Sequence, residues 1–508
     1  MSTAADLILQ NGEIHTLTQP DKEREAVAIK DGTIIRVSSD YEIQFLEDIN
    51  TTVIDLDGRP VLPGFIDAHT HMTSVGKYII HADLRNVSSL SECLEQLQEY
   101  TSSNDWIIGY GFDESQWKQQ QYPTKEDLDN VSTSKPVVAF REDGHTAAVN
   151  SIVLEKYQEE MDNENVRVVD SEPTGIIVED AVSVIRDKIS PDVEQTRELL
   201  SAAQSHAHSQ GIVGVHDMVR HSHAPQVYRE MELNDQLSLR VRLNYWSDHL
   251  DAVEELGLRT NHGSEFLQMG GIKSFTDGSL GGQTAKLTKP YEDTTGTGQW
   301  VINPENYRQL VDDVIENELQ MTTHAIGDAA VDLVVDTYAN KASNKPLRHR
   351  IEHAEMASDK HIQQMKKHNI IASMQPNFLK WATEDGLYEQ RIGADRRRQS
   401  NRFSKYLSEE VQLAFGSDCM PMDPLLGIQW AVNAPAPEQQ ISVTEAIRAY
   451  TYGSAYAGFD EGRLGTIEEG KLGDIVVLEA SPWENQASID GISVDYTIVD
   501  GNIVYSDS

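Results

Sequence analysis

The chain has 508 residues, with 42 Lys or Arg against 82 Asp or Glu, giving a formal net charge of −40. That length predicts one large barrel-type domain with at least one smaller one, and 39% hydrophobic residues suffice for sizeable cores. No apolar run approaches the roughly 18 residues that cross a bilayer, and so acidic a chain is repelled by nucleic acid and by anionic lipid.

The N-terminal stretch MSTAADLILQNGEIHTL has neither a basic n-region nor a long apolar h-region, so no signal peptide is read there. Cys93 and Cys419 make no disulfide framework, in keeping with a reducing compartment. The expectation is a cytoplasmic protein with a small-molecule substrate and neither nucleic acid nor membrane as partner. A homo-oligomer is compatible with the composition. Acidic residues are scattered through segments such as EDIN, DNEN, SEEVQ and DEGR. They describe either a self-repelling, solvated surface or, the favoured reading, a halophilic one adapted to a salt-loaded cytosol.

Residues 6–10, 25–30, 33–37 and 51–56 are short β-prone runs punctuated by Asn11-Gly12, Asp31-Gly32 and Asp57-Gly58. The far end repeats the style at Ile475–Leu478, Tyr496–Val499 and Ile503–Tyr505. The two ends therefore predict one small β-sandwich from residues 1–60 and 460–508. Between them, Val61–Ile66, Val137–Phe140, Ile212–Val215, Ile272–Phe275, Met321–His324, Ile351–His353, Ile370–Met374 and Val411–Phe415 read as strands. Helical spacing of Tyr307, Leu310, Val311, Val314, Ile315 and Leu319 predicts an amphipathic helix, and Ser442-x-x-Glu445 predicts a helix cap. This alternation predicts an α/β fold, a (β/α)8 TIM-type barrel over residues 61–459. Insertions at 72–136 and 142–211 are expected to form a lid.

The first barrel strand ends Asp67-Ala68-His69-Thr70-His71. Side chains two apart on a strand share a side, so His69 and His71 converge as half a metal chelate. His324 closes MTTH, His353 closes RIEH and Asp418 follows LAFGS, each at a strand end. A barrel gathers its strand C-terminal ends into one ring. These five nitrogen and oxygen donors therefore predict a divalent-metal site that suits zinc, with iron and manganese as alternatives. Lys273, inside the apolar run GIKSF, either points outward with its amine in water or stands in the site as a carbamate formed with carbon dioxide. His145, in Asp143-Gly144-His145, is read either as a substrate-binding residue or as a loop residue capping backbone groups. His216-Asp217 is expected to support the fold or the ligands, and Trp106 and Trp117 to pack. Cys419 is not taken as a nucleophile, because no separate base accompanies it.

The stretches VLPGFIDAHTH, REDGHTAAVNS, SEPTGII, GIKSFTDGSLGGQTA, THAIGDAAVD, RIEHAE, SMQPNF, GSDCMP and AYTYGSAYAG resemble, in order, blocks of the amidohydrolase superfamily. The branch they resemble is that of the YtcJ-like hydrolases and N-substituted formamide deformylases. The resemblance implies one or two metals: one on His69, His71 and Asp418, another on His324 and His353, and carbamylated Lys273 bridging. It implies hydrolysis of non-peptide carbon–nitrogen bonds, in linear amides such as N-acyl or N-formyl amines, by a metal-bound hydroxide. Asp418 would be the catalytic proton shuttle. The competing readings are a deaminase with one metal and a metal-free scaffold. Gln283 departs from the pattern, since relatives often carry Arg in that segment.

Overall fold

The computed structural model describes residues 4–18, 23–101, 105–220, 223–341 and 346–507. Residues 1–3 and 19–22 of the N-terminal segment read above lie outside these. The chain divides into two compact units, residues 1–72 with 204–508, and residues 73–203.

The first unit contains a nearly closed barrel of eight parallel strands. They are β1 (Phe65–Thr70), β2 (Ile212–Val219), β3 (Arg240–Trp246), β4 (Leu267–Phe275), β5 (Gln320–Ala325), β6 (Arg350–His353), β7 (Ile371–Met374) and β8 (Leu413–Phe415). Pairing follows chain order from β1 to β8. First and last strands meet through polar contacts: Ser417 donates both its backbone N–H and its hydroxyl to Asp67, and the Asp418 N–H donates to the His69 carbonyl at 2.7 Å. A side chain at Gly416 would strike the His69 backbone nitrogen at 2.4 Å, so glycine permits that approach.

Three strand expectations need correction. Val137–Phe140 is not a barrel strand; it belongs to a six-stranded sheet in the second unit, paired with Ile107–Phe112 and Thr146–Val149. A short apolar run says that both faces are covered, not which sheet covers them. The third barrel strand is β3, which the sequence hides behind Arg240, Arg242 and Asn244. These polar residues alternate along one face, yet all are buried. Arg240 pairs with Asp474 at 2.6 Å, and Arg242 with Asp460 at 2.9 Å and with Asn261. Ion pairing lets a polar face enter the interior. His216-Asp217 accordingly lies within the second barrel strand, not after a third. The run Val61–Ile66 also divides: Pro60–Pro63 joins a terminal sheet and Phe65 opens β1.

The expected helix forms at Pro304–Glu316, burying Tyr307, Val311 and Val314. Ser442 and Glu445 form a capping box at Val443–Arg448.

Two further sheets use the chain ends. One runs Thr33–Ser38, Ala26–Lys30, Leu7–Gln10, Thr52–Asp55; the other runs Asn502–Ser506, Val494–Val499, Ile475–Leu478, Pro60–Pro63, Glu13–His15, Glu23–Arg24. Leu7, Leu9, Val27 and Ile29 of the first share one apolar core with Ile14, Val61, Ile475 and Ile498 of the second. Asp31-Gly32 and Asp500-Gly501 close two-residue hairpins with positive φ at every central residue. That geometry gives the strands their matching twist and favours these residue pairs.

In the second unit, alternate residues of the sheet face two separate apolar clusters. Trp117 is buried in one, and Trp106 stacks on Tyr157 against the other.

Candidate metal centre

The barrel geometry carries the ligand candidates to one end. His69, at the end of β1, is buried, and its Nδ1 lies 2.5 Å from Glu352 Oε2. His71 sets its own Nδ1 at 3.0 Å from the Met218 carbonyl. Each Nδ1 faces an acceptor and so carries the hydrogen, leaving each Nε2 a lone pair. Both Nε2 atoms face Asp418 Oδ1, at 3.8 Å from His69 and 3.2 Å from His71. Asp418 stands at φ +50°, a left-handed turn that Asp tolerates, with its carboxylate beside the two Nε2 atoms.

His324 and His353 adjoin this trio, with ring centroids 4.4 Å apart and His353 5.1 Å from His69. His353 Nδ1 is buried without a hydrogen-bond partner. His324 Nε2 lies 3.0 Å from the Gly278 carbonyl. Lys273 does not reach water: it is 1% exposed, and its Nζ has no hydrogen-bond partner.

Burial favours the uncharged forms. It pushes His69 and His353 well below the ordinary imidazole value, and His324 down to about 4. It also lowers Lys273 to about 8, although Glu352 and Asp418 pull upward. Burial works in the same direction on His71, but the Asp418 carboxylate overrides it and raises that pKa. Burial would raise Asp418, yet His71, His69 and Lys273 together hold it below its usual value. Neutral His69, His324 and His353 beside an ionised Asp418 are in the protonation states a metal needs, and a cation would displace the proton that Asp418 favours on His71.

These residues fit a divalent cation. His69, His71 and Asp418 offer ligand atoms within 4.8 Å of one another. Two imidazole lone pairs aimed at a carboxylate repel unless a positive charge lies between them. The unpartnered His353 Nδ1 and Lys273 Nζ are two further donor atoms lacking protein partners.

His145 lies in the second unit, exposed, with Nδ1 3.1 Å from Glu179. Gln283 donates to Asp293, the carboxylate that also pairs with Arg391. Cys419 is buried.

Sequence reasoning anticipated His216-Asp217 in the supporting layer but missed its two charged members, Glu352 and Arg350. Glu352, fully buried, receives both His69 Nδ1–H and the Arg350 guanidinium, whose Nε lies 2.5 Å away. Burial would raise Glu352, but Arg350 and Lys273 hold its carboxyl below the ordinary range. Arg350 spans the barrel interior, binding His216 Nδ1 at 2.7 Å, the Ala68 carbonyl and Ser373 Oγ. Asp217 accepts from the Met72 N–H and the Tyr228 hydroxyl, fixing the turn after His71. The signal was present in Arg350-x-Glu352: two charges spaced two apart on an otherwise apolar strand face one interior.

A sequence model of the amidohydrolase family matches residues 52–505. A Bacillus subtilis (strain 168) protein described as amidohydrolase YtcJ is 29% identical, over 99% of this chain and 99% of its own. The N-substituted formamide deformylase of Arthrobacter pascens is 24% identical over 99% of each chain. The crystal structure of an uncharacterized metal-dependent hydrolase from Pyrococcus furiosus superposes with a TM-score of 0.81 at 29% identity, covering 94% of this chain and 99% of that one. Barrel, ligand set and likeness agree: the chain belongs to the amidohydrolase family, in the YtcJ-like branch, and is a metal-dependent hydrolase acting on carbon–nitrogen bonds.

Proposed function

We propose that this centre hydrolyses linear, non-peptide amides, N-acyl or N-formyl amines, with two divalent ions, zinc the best match to its donors. The observation that carries the reading is the convergence of His69 Nε2, His71 Nε2 and Asp418 Oδ1 while both Nδ1 atoms are engaged elsewhere. A divalent cation there supplies a Lewis acid and lowers the pKa of water to about 7.

The chain's own groups do the rest. Asp418 takes the proton of the attacking water and passes it to the departing amine nitrogen, so one C–O bond forms as one C–N bond breaks. His324 and His353, which adjoin His69, would hold the second ion. Lys273, whose pKa burial brings near neutrality, has an amine available to carbon dioxide. From the neutral amine one N–C bond forms with loss of one proton, and the resulting carbamate would offer the metal centre an anionic oxygen donor.

Elemental analysis of chelated and reloaded protein tests the metal stoichiometry. About two equivalents of zinc per chain is the expected result; one equivalent favours a deaminase-type site, and none a scaffold. Turnover of a panel of N-formyl and N-acyl amines tests the chemistry.

The chemistry needs few carboxylates, so the excess behind the charge of −40 belongs to the solvated exterior. There, molar salt screens self-repulsion over a few ångströms. Reversible unfolding on dilution of salt, followed by circular dichroism, is expected; full stability in dilute buffer would refute this assignment.

A further inference from the structure

Consecutive barrel strands end in a row of side chains joined by ring contacts. Arg220 follows β2, Trp246 closes β3, Phe275 closes β4, and His324 stands near the end of β5. The parallel register sets them side by side, Val219 beside Tyr245 and Phe275 beside His324. The Arg220 guanidinium lies 4.5 Å over the Trp246 ring. Trp246 and Phe275 are 4.6 Å apart, and Phe275 and His324 5.1 Å. A continuous row of tilted ring contacts therefore leads from the histidines of the metal centre to a fixed positive charge.

That charge stands out. Arg220 is exposed, and among the described residues no carboxylate pairs with it, in a chain holding 82 acidic residues. Arg141, Arg240, Arg242, Arg348 and Arg391 are all in ion pairs. Stacking on Trp246 holds the guanidinium in place without neutralising it. Trp246 and Phe275 are only half-buried, so both residues keep solvent-accessible area. Trp246 Nε1 is buried and lacks an acceptor.

We infer that Arg220, Trp246 and Phe275 form a specificity subsite for anionic amides. An apolar, aryl-sized body of the substrate lies against the two rings, and a carboxylate at its far end meets the Arg220 guanidinium. The inference rests on the amide-hydrolysing reading and narrows its substrate class. A carboxylate on a guanidinium is a charge-assisted contact, and an arginine already ordered by stacking gives up little freedom to make it.

The test compares formanilide with 4-formamidobenzoate, which share a scissile bond and differ in the distal carboxylate. Wild-type enzyme is expected to favour the carboxylate in kcat/KM by about ten- to hundredfold, expressed mainly in KM. In Arg220→Gln the ratio should fall to about one, and Arg220→Lys should keep part of it. Binding of 4-aminobenzoate, read by tryptophan fluorescence, runs in parallel and is expected for wild type but not for Arg220→Gln. Unchanged discrimination in Arg220→Gln, or equal binding by both proteins, overturns the subsite. Absence of turnover with Arg220-dependent binding retained overturns the amide-hydrolysing reading instead and leaves the anion subsite supported.

Discussion

Asp418→Asn is expected to lower kcat by about a thousandfold or more while leaving the metal content close to wild type. The side chain sits 3.2 Å from His71 Nε2, where an amide oxygen can still act as a ligand. Asn also tolerates the φ of +50° at this position, so the turn survives. What disappears is the capacity to accept a proton and return it. Elemental analysis together with steady-state kinetics separates these consequences. A fully active Asp418→Asn protein would remove this residue from the proton path.

Glu352→Gln is expected to weaken both fold and metal binding. The carboxylate lies between two donors, His69 Nδ1–H and Arg350 Nε–H. A carboxamide turns one of its own donors toward one of them and leaves the guanidinium charge uncompensated in a dry interior. Breaking a buried pair from one side costs about 3–5 kcal/mol. Loss of the group that orients a ligating histidine typically costs about 10- to 100-fold in metal affinity. The double variant Glu352→Gln, Arg350→Met divides these effects. It should recover part of the melting temperature, because no charge is stranded, without recovering zinc affinity, because His69 remains unsupported. Wild-type zinc affinity in Glu352→Gln would limit this residue to holding the barrel together.

The ligand candidates were legible because each imidazole or carboxylate interrupts an apolar run at its end, a placement that only a strand-end site explains economically. His69 and His71 also share a strand side, which their spacing alone announces. The third barrel strand was not legible. Arg240, Arg242 and Asn244 give β3 the alternation of a solvent-facing strand, and their partners Asp460 and Asp474 lie far along the chain. Glu352 was overlooked for a related reason: beside His353 it looks like an ordinary charged neighbour, and only the barrel's closure shows that it meets His69. The hairpins at the chain ends were readable from Asp-Gly pairs, because backbone geometry there depends on two adjacent residues. Arg220 carries no such local signature, since its stacking on Trp246 arises from neighbouring strands.

The terminal sheet that holds Pro60–Pro63 has a consequence for synthesis. Its inner strand pairs in parallel with Glu13–His15 on one side and antiparallel with Ile475–Leu478 on the other. The second partner leaves the ribosome only after all eight barrel strands have been made. Until then Val61 and Leu62 present an unsatisfied strand edge, joined through Gly64 to the strand that carries His69 and His71. Nascent barrels therefore pass through an interval in which the edge leading into their metal-binding strand is open to other chains. A surface that repels its own kind protects the protein during that interval as well as after it.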